Sequence, residues 1–417
     1  MVIAGIVIVV ATFIAIIKQF ETRLVLLLSG LLMCFIGGQL GAGTTAFVKE
    51  LTNPGLVPTI CTVLGFSYVM EYTKCTEHMV YFISAGLKKM TKIIIPGAVI
   101  ITFLINIALP TAAGCAAAVG ALLIPALIRS GVHPAMAGSA IFLGTWGSAL
   151  SPGLMFNPQV AQLAGEDVMT VIASFSMQAV IGIVVAAIFL NIVAIVKKEH
   201  TGYVLKEVNG EEDKEFKINY LYAIIPIIPL VLLVLGSKQV AVIPEISVPV
   251  SMLIGTAIGI IAVRPNVTDA VKKFFRGTGD GMCDVVGLMA AAACFTAGMQ
   301  HIGLTSALID GMKNSQQIAQ IGAAFGPFLL AVISGSGNAA ALAFNGAVTP
   351  HAADFGYGIM QLGSMAQLGA GIGRSMSPVA GAGIIIAGLA GINPMEMAKR
   401  NAVPCIIATV VIMLLLL

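Results

Sequence analysis

The sequence predicts an all-α polytopic membrane protein made of two inverted repeats, and three observations lead to this fold class. Apolar runs of bilayer length recur along the chain, the second half repeats the first, and the basic residues fall almost entirely on one side of the resulting topology. The 417 residues are 58% hydrophobic and only 10% charged, whereas a soluble protein carries about 25% charged residues. This composition argues against an ordinary soluble domain.

The apolar runs cover residues 2–17, 24–40, 168–196, 220–236 and 248–263. As helices, they are long enough to cross about 30 Å of hydrocarbon. No basic residue precedes the first run and no small-residue cleavage site follows it, so we expect a retained span rather than a signal peptide. The seven cysteines are scattered without ligand-like spacing, which predicts neither disulfides nor a metal site.

An internal repeat relates residues that lie 225 positions apart. At this offset "AGLKKM" (85–90) recurs as "IDGMKN" (309–314), and Thr111 matches Ser336. One inserted residue later, Ser151-Pro152 matches Ser377-Pro378, and "AQLAG" (161–165) matches "AGLAG" (387–391). The two repeats therefore cover residues 1–200 and 219–417, and a polar cytoplasmic linker at 197–218 joins them.

We place five membrane spans and one re-entrant hairpin in each repeat. In the first repeat the spans are 2–17, 23–42, 55–73, 134–165 and 169–196, and the hairpin is 92–130. The second hairpin is 315–353, and the second broken span is 357–391. Because five is odd, the second repeat must be inverted. Of the 22 lysines and arginines, 18 then fall on one side and three on the other, which puts the first side inside and both termini outside.

One span of each repeat is interrupted near its centre by glycine and proline. The interruptions are Gly144–Gly153, "GTWGSALSPG", and Gly369–Pro378. Both residue types disrupt a helix, and in lipid a broken backbone persists only where it is buried in protein or lines a cavity. Isolated kinks often only shape packing, but matching breaks in both repeats favour a functional cavity.

The hairpin tips are small and polar, "PTAAG" (110–114) and "SGSGN" (334–338). If the hairpins enter from opposite faces, their tips meet near the bilayer centre. There each return helix presents its N-terminus, which carries roughly half a positive charge. We therefore expect an electropositive cavity between the two tips.

Arg374 is the one basic residue that belongs to neither side. An arginine at the bilayer centre costs about 2.5–3.5 kcal/mol on insertion scales, so a compensating partner is expected. We find no Asp or Glu at matching depth, since Asp284 falls near the inner end of its span. An arginine bonded only to backbone carbonyls is the alternative. Its planar fork suits a carboxylate, and with the hairpin tips it predicts a site for a small dianion.

The candidate substrate-binding residues are the polar and glycine positions of the tips and breaks. They are Arg374, Ser336, Asn338, Ser375, Ser377, Thr111, Ser148, Ser151, Asn157 and Gly337. Because we place neither an acid nor an imidazole at the midplane, a coupling cation such as sodium, or plain anion exchange, fits better than a proton carrier. Backbone carbonyls of Gly144, Thr145, Gly369 and Gly371 are the candidate cation ligands. Trp146 either packs in the core or walls the cavity.

No catalytic residue is expected, and no cofactor other than the possible sodium ion. The sequence has no HExxH and no GxSxG motif, and we expect no His or Asp beside Ser336 or Ser375. An intramembrane enzyme is therefore disfavoured against a transporter, because inverted repeats with paired broken helices indicate alternating access.

Four stretches resemble the anaerobic C4-dicarboxylate carrier family of the DcuC type, within the ion transporter superfamily. They are "VMEYTKCTEHMV" (69–80), "LPTAAGCAAAVGALLIPALIRSGVHPAMA" (109–137), "SGSGNAAALAFNGAVTPHA" (334–352) and "GRSMSPVAGAGIIIAGLAG" (373–391). The resemblance extends over essentially the whole chain.

This resemblance implies transport of succinate, fumarate or malate across a bacterial inner membrane, by exchange, efflux or symport. It also implies a homodimer with an elevator-like motion, whose partners are a dicarboxylate and the lipid bilayer, without nucleic acid. Related sodium-coupled carriers have Ser-Asn-Thr at each tip, whereas this chain has Ser336-Gly337-Asn338 and Thr111-Ala112-Ala113. A carrier for another organic anion, and a sodium- or proton-coupled antiporter of similar architecture, remain alternatives.

Overall fold

A computed structural model describes residues 1–18, 20–54, 56–84, 93–152, 156–203, 217–238, 240–307 and 316–417. Over these ranges the chain is helical and forms no strand. The repeated stretches "AGLKKM" and "IDGMKN", and most of the linker, lie outside the described residues.

The helices of the first half are α1 Val2–Ile17, α2 Thr22–Ile36, α3 Leu40–Leu51, α4 Val57–Tyr72, α5 Cys75–Ser84, α6 Ile94–Ala108, α7 Ala112–Arg129, α8 Pro134–Gly144, α9 Phe156–Ala164 and α10 Val168–Val196. Between α8 and α9 a 3₁₀ turn runs over Gly147–Leu150. Local sequence sets several starts: Pro134 occupies the first turn of α8, and Asp167 caps α10 by accepting from the Thr170 N–H.

The helices of the second half are α11 Tyr220–Ile224, α12 Ile228–Leu235, α13 Val248–Val263, α14 Val267–Asp280, α15 Gly287–His301, α16 Gln316–Ser334, α17 Gly337–Ala347, α18 Ile359–Arg374, α19 Gly381–Ala390 and α20 Pro394–Leu416. A π-helical turn, Gly281–Val286, joins α14 to α15, and 3₁₀ turns occupy Ile225–Ile227 and Thr349–Phe355. The run 220–236 is thus interrupted where Pro226 and Pro229 cannot donate to the helix.

Five helical stretches are long and apolar enough to cross a membrane: α7, α10, the continuous stretch Val267–His301, α16 and α20. Many large apolar side chains point outward from α1, α2 and α10, including Ile3 at 79% and Phe35 at 68% exposure. A chain that buries polar residues while exposing such side chains is built for lipid. The protein is therefore a polytopic α-helical membrane protein.

The helices pack into two groups. In the first group α2 and α3 pack against α15, and α4 packs against α13 and α14. In the second group α10 packs against α20, α7 against α19, α6 against α8, and α16 against α18. The apolar core of the second group is continuous across both halves of the chain.

The second group contains the same order of elements twice. Helices α6 and α7 form a hairpin, followed by the interrupted pair α8 and α9 and then by the long α10. Helices α16 to α20 repeat this order. The predicted hairpins at 92–130 and 315–353 therefore coincide with helical hairpins over their described residues.

The second interruption lies later than predicted. Helix α18 continues through Gly369 and Gly371 to Arg374, and the helix is broken between Ser375 and Ala380. Gly369 instead serves close packing, because an added Cβ would lie 2.3 Å from the Ala324 carbonyl oxygen of α16. The predicted break at Gly369 was wrong because a glycine needed for helix contact resembles one that ends a helix.

This contact predicts a loss of stability on substitution of Gly369. Gly369→Ala should destabilise the protein by about 1–3 kcal/mol, because the methyl group meets backbone rather than a movable side chain. Thermal unfolding of the purified protein in detergent, followed by near-UV circular dichroism, measures the change. Gly388→Ala on α19 is the matched control, since nothing lies within 4 Å of its added Cβ. An equal change in the two variants would contradict the packing role.

Candidate anion-binding site

A cavity of about 400 Å³ lies between the two helix groups. From the first group, α4 contributes Ile60, Leu64 and Tyr68, and the end of α14 with the π-helical turn contributes Asp280 and Asp284. The hairpin tips, both interrupted helices and the end of α18 form the remaining walls. The cavity is within the size range of small-molecule sites.

Four helices begin at this cavity. Its lining includes the first residues of α7, α9, α17 and α19, which are Ala112, Phe156, Gly337 and Gly381. The first N–H groups of a helix have no intrahelical partner, and the N-terminal end carries a partial positive charge. Four such ends around one cavity favour an anion.

Arg374 is the last residue of α18 and lines the same cavity. Its Nη2 donates to the Thr145 carbonyl oxygen at 2.6 Å and lies 3.5 Å from Thr145 Oγ1. Among the described residues it forms no ion pair. A guanidinium has five N–H donors, so the backbone contact uses a minority of them. A purely structural role for Arg374 explains its contact with Thr145. It does not explain the remaining N–H donors, which have no partner among the described residues and are available to a ligand.

Seven of the predicted residues line the cavity: Arg374, Thr111, Ser148, Ser336, Gly337, Asn338 and Gly371. Ser336 caps α17, since its Oγ accepts from the Ala339 N–H at 3.2 Å. Asn338 is half-buried and its amide makes no hydrogen bond within the described structure, which leaves it available to a ligand.

Four other predicted substrate residues lie behind the cavity wall. Asn157 is fully buried, and its Nδ2 donates to the carbonyl oxygens of Ala149 and Ser151, both at 2.8 Å. Ser375 Oγ donates to the Gly371 carbonyl oxygen at 3.2 Å. Ser377 Oγ accepts from the Val379 N–H at 3.3 Å. In this structure Ser151, Asn157, Ser375 and Ser377 hold the interrupted backbone rather than face the cavity.

The predicted cation ligands do not form one cluster facing the cavity. The Thr145 carbonyl accepts from Arg374, and a guanidinium at 2.6 Å opposes a second positive charge at that oxygen. Gly144 lies against α6, where an added Cβ would meet Thr102 at 2.5 Å, and Gly369 lies against α16. Of the four predicted cation ligands, Gly371 alone lines the cavity.

The first helix group brings two carboxylates that the sequence analysis did not place at the site. Asp280 accepts from the Tyr68 hydroxyl at 2.6 Å, and Asp284 lies 3.3 Å from Arg23. The sequence predicted no acid at the depth of Arg374, which stays a prediction, but the cavity also reaches Asp280 and Asp284 because α14 and the π-helical turn pack against α4. The spacing of Asp280 and Asp284, four residues apart on one face of the helix, was the available signal.

Three further residues shape the site. Asn106 Oδ1 accepts from the Ser148 N–H at 2.7 Å, and its Nδ2 donates to the Leu109 carbonyl oxygen at 2.8 Å, which fixes the tip of α6 to the first break. Trp146 both lines the cavity and packs edge-on against Phe103 at 4.8 Å. Gln367 also lines the cavity. Asn106 and Gln367 were missed because single amides in apolar helices carry no spacing signal.

Apolar helices around a cavity with four helix N-termini and one arginine define a membrane carrier for small anions. The chain belongs to the C4-dicarboxylate anaerobic carrier (DcuC) family, whose model matches residues 2–417. The members of this family are transporters, not enzymes, and the protein is a multi-pass inner-membrane protein.

Two relatives match different shares of this chain. A Haemophilus influenzae protein, named only as an uncharacterized transporter, is 38% identical over 278 residues, which is 64% of this chain and all of the relative. The anaerobic C4-dicarboxylate transporter DcuC of Escherichia coli K12 is 25% identical over 439 residues, or 98% of this chain and 94% of the relative.

Asp280 and Asp284 form an acidic wall of the cavity, and this wall predicts an electrostatic effect on anion binding. Asp284→Asn should raise the affinity for a dianion about two- to threefold at low salt, because a negative charge at the cavity is removed, and the gain should shrink as salt screens it. Titration of the purified protein with succinate as the test dianion measures this. Asp269→Asn, the same charge change earlier on α14, is the control, and an equal gain there would contradict a local effect.

Proposed function

We propose that the protein transports C4-dicarboxylates such as succinate, fumarate and malate. The observation that carries this proposal is Arg374, which lines a cavity shared with four helix N-termini and has most of its N–H donors unpaired among the described residues. One substrate carboxylate binds the guanidinium through its fork. The other binds at the starts of α7 and α17, beside Thr111, Ser336 and Asn338.

The packing of two helix groups around the site supports alternating access of the elevator type. In this mechanism α6–α10 and α16–α20 carry the substrate past α1–α4 and α12–α15. The proposal includes inverted repeats at 1–200 and 219–417, re-entrant hairpins and a homodimer built on the first group. The repeated element order of the second group supports the internal duplication.

We propose exchange as the basic transport mode, with efflux or sodium symport as further modes of the same site. The contact between Arg374 and Thr145 disfavours sodium at the Thr145 carbonyl. A sodium requirement is therefore tested directly by replacing sodium with choline in the transport assay. A sodium-coupled antiporter would lose transport under this replacement.

A carrier for another organic anion is the second candidate. The relative that is 38% identical has no named substrate, whereas the relative named for C4-dicarboxylates is 25% identical. Arginine recognises the carboxylate of a monocarboxylate or an amino-acid conjugate equally well. Competition by these anions in the same assay distinguishes the two candidates.

Removal of the guanidinium should abolish transport. In counterflow with proteoliposomes loaded with unlabelled succinate, the parent protein should accumulate labelled succinate or fumarate. Arg374→Ala should reduce the rate at least a hundredfold, and Arg374→Lys at least tenfold, since an ammonium lacks the two-pronged geometry.

Arg264→Ala is the control for this experiment, because Arg264 ends α13 away from the cavity. It should transport at close to the parental rate. If Arg374→Ala transports as well as the control, Arg374 is structural and the binding model is wrong.

The charge distribution predicts the orientation of the protein in the membrane. The exposed Cys283 is first replaced by serine to lower background labelling. A cysteine introduced at Lys49 should then react with an impermeant maleimide in intact cells, because that side faces the periplasm. A cysteine at Lys197 should react only after permeabilisation. The reverse pattern would contradict the proposal that both termini lie outside.

A further inference from the structure

Helix α14 has three faces of different character, and the first of them is fixed to the protein. Ala270, Phe274 and Gly277 are buried, and α14 packs against α4. An added Cβ at Gly277 would lie 2.5 Å from the Leu64 carbonyl oxygen of α4. Buried positions three and four residues apart form one stripe of a helix. The remaining two faces of α14 therefore point away from α4.

The second face is apolar and exposed. Val267, Val271 and Phe275 are 58%, 41% and 65% exposed. Residues four apart on a helix are neighbours, so these three side chains form a continuous apolar stripe. Such a stripe is unfavourable in water, and in a membrane protein the acyl chains of lipids cover it.

The third face is basic. Lys272, Lys273 and Arg276 are all exposed, and Lys273 and Arg276 form no ion pair within the described ranges. Lys272 Nζ lies 4.0 Å from Asp269 Oδ1, with both side chains largely in solvent. The face therefore carries three cations beside one acid, and two of the cations lack an anionic partner.

The length of the helical stretch places the basic face at the membrane surface. The continuous stretch Val267–His301 has 35 residues, about 52 Å as a helix, whereas about 20 residues cross the hydrocarbon. From Gly281 onward the stretch is long enough to cross, and Asp284 is its only Asp, Glu, Lys or Arg. Helix α14 is thus the part left for the interface. It also follows directly on the end of α13, because Arg264, with a φ of +54°, turns the chain there.

We propose that α14 is a docking surface for anionic phospholipids. The headgroup phosphate lies against Lys273 and Arg276, and the acyl chains cover the stripe of Val271 and Phe275. An interfacial helix with one apolar and one basic face binds anionic membranes in this way, and each basic residue near the surface adds to the attraction. A phosphatidylcholine covers the stripe equally well, but its own cation opposes the basic face.

The test uses a fluorescent label on the apolar stripe to report which lipid touches it. Val271→Cys in the Cys283→Ser background gives one exposed thiol, because the other six cysteines are buried. The labelled protein is reconstituted in phosphatidylcholine vesicles that contain a small, equal fraction of either phosphatidylglycerol or phosphatidylcholine with brominated, quenching acyl chains. Brominated phosphatidylglycerol should quench about fivefold more at low salt, and added salt should reduce the ratio.

A matched pair of variants tests the residues. Lys273→Gln combined with Arg276→Gln should lower the quenching ratio to within about twofold. Lys197→Gln combined with Lys198→Gln removes two exposed charges after α10, which are predicted on the same side of the membrane, and should keep the parental ratio. Unchanged quenching by brominated phosphatidylcholine shows in each sample that α14 still lies against lipid.

The outcomes decide the proposal without a transport measurement, so they do not depend on the proposed function. A parental preference that is lost only in the α14 variant supports the docking surface. A ratio near one in the parent, or equal losses in the two variants, contradicts it. Glycerol phosphate at matched ionic strength should not reduce the preference; if it does, the basic face binds soluble phosphates and the lipid assignment is wrong.

Discussion

The contact between Arg374 and the Thr145 carbonyl connects the parts of this structure on which the site depends. It joins the end of α18, in the second half, to the break after α8, in the first half. A guanidinium in an apolar bundle needs acceptors, and the described structure offers it one carbonyl and no carboxylate. The cavity beside it, which the first residues of four helices line, therefore favours an anion.

The backbone groups at a helix break in a membrane protein need hydrogen-bond partners. In this protein buried amide side chains are the partners. Asn157 pairs two carbonyl oxygens of the first break, and Asn106 pairs the Ser148 N–H and the Leu109 carbonyl. Asn401 donates to the Ser375 carbonyl at 2.8 Å at the second break. Such pairing holds the interrupted backbone beside the cavity without helical hydrogen bonds.

Two helical hairpins and a first break lie near the residues that the amino-acid pattern predicted, and Arg374 lines the cavity, because each of these features depends on local rules of glycine, proline and charge. That the hairpins are re-entrant and that Arg374 binds substrate stay predictions. It predicted seven cavity-lining residues and missed others for a physical reason. Whether a serine or asparagine faces a ligand or its own backbone depends on packing, as Ser148 and Asn157 show. Gly369 shows the same limit, since a glycine that ends a helix and one that lets two helices touch are identical in sequence.

The amino-acid pattern also did not predict that Asp280 and Asp284 line the cavity, because they reach it only through the packing of α14 against α4. Depth along a span does not say which helices face each other. Tertiary contact between the two helix groups decides which charges share a cavity.

The positive character of the cavity has a consequence for the empty carrier. Moving an uncompensated charge through a medium of low dielectric constant has a self-energy that grows with the square of the charge. In the carrier that we propose, a bound dianion largely neutralises the charges of Arg374 and of the helix ends, and the self-energy of the group that moves is then smaller. For the elevator-type exchange proposed above, it follows that the loaded form crosses between the two sides more easily than the empty form, so that the outward movement of one anion is coupled to the inward movement of another.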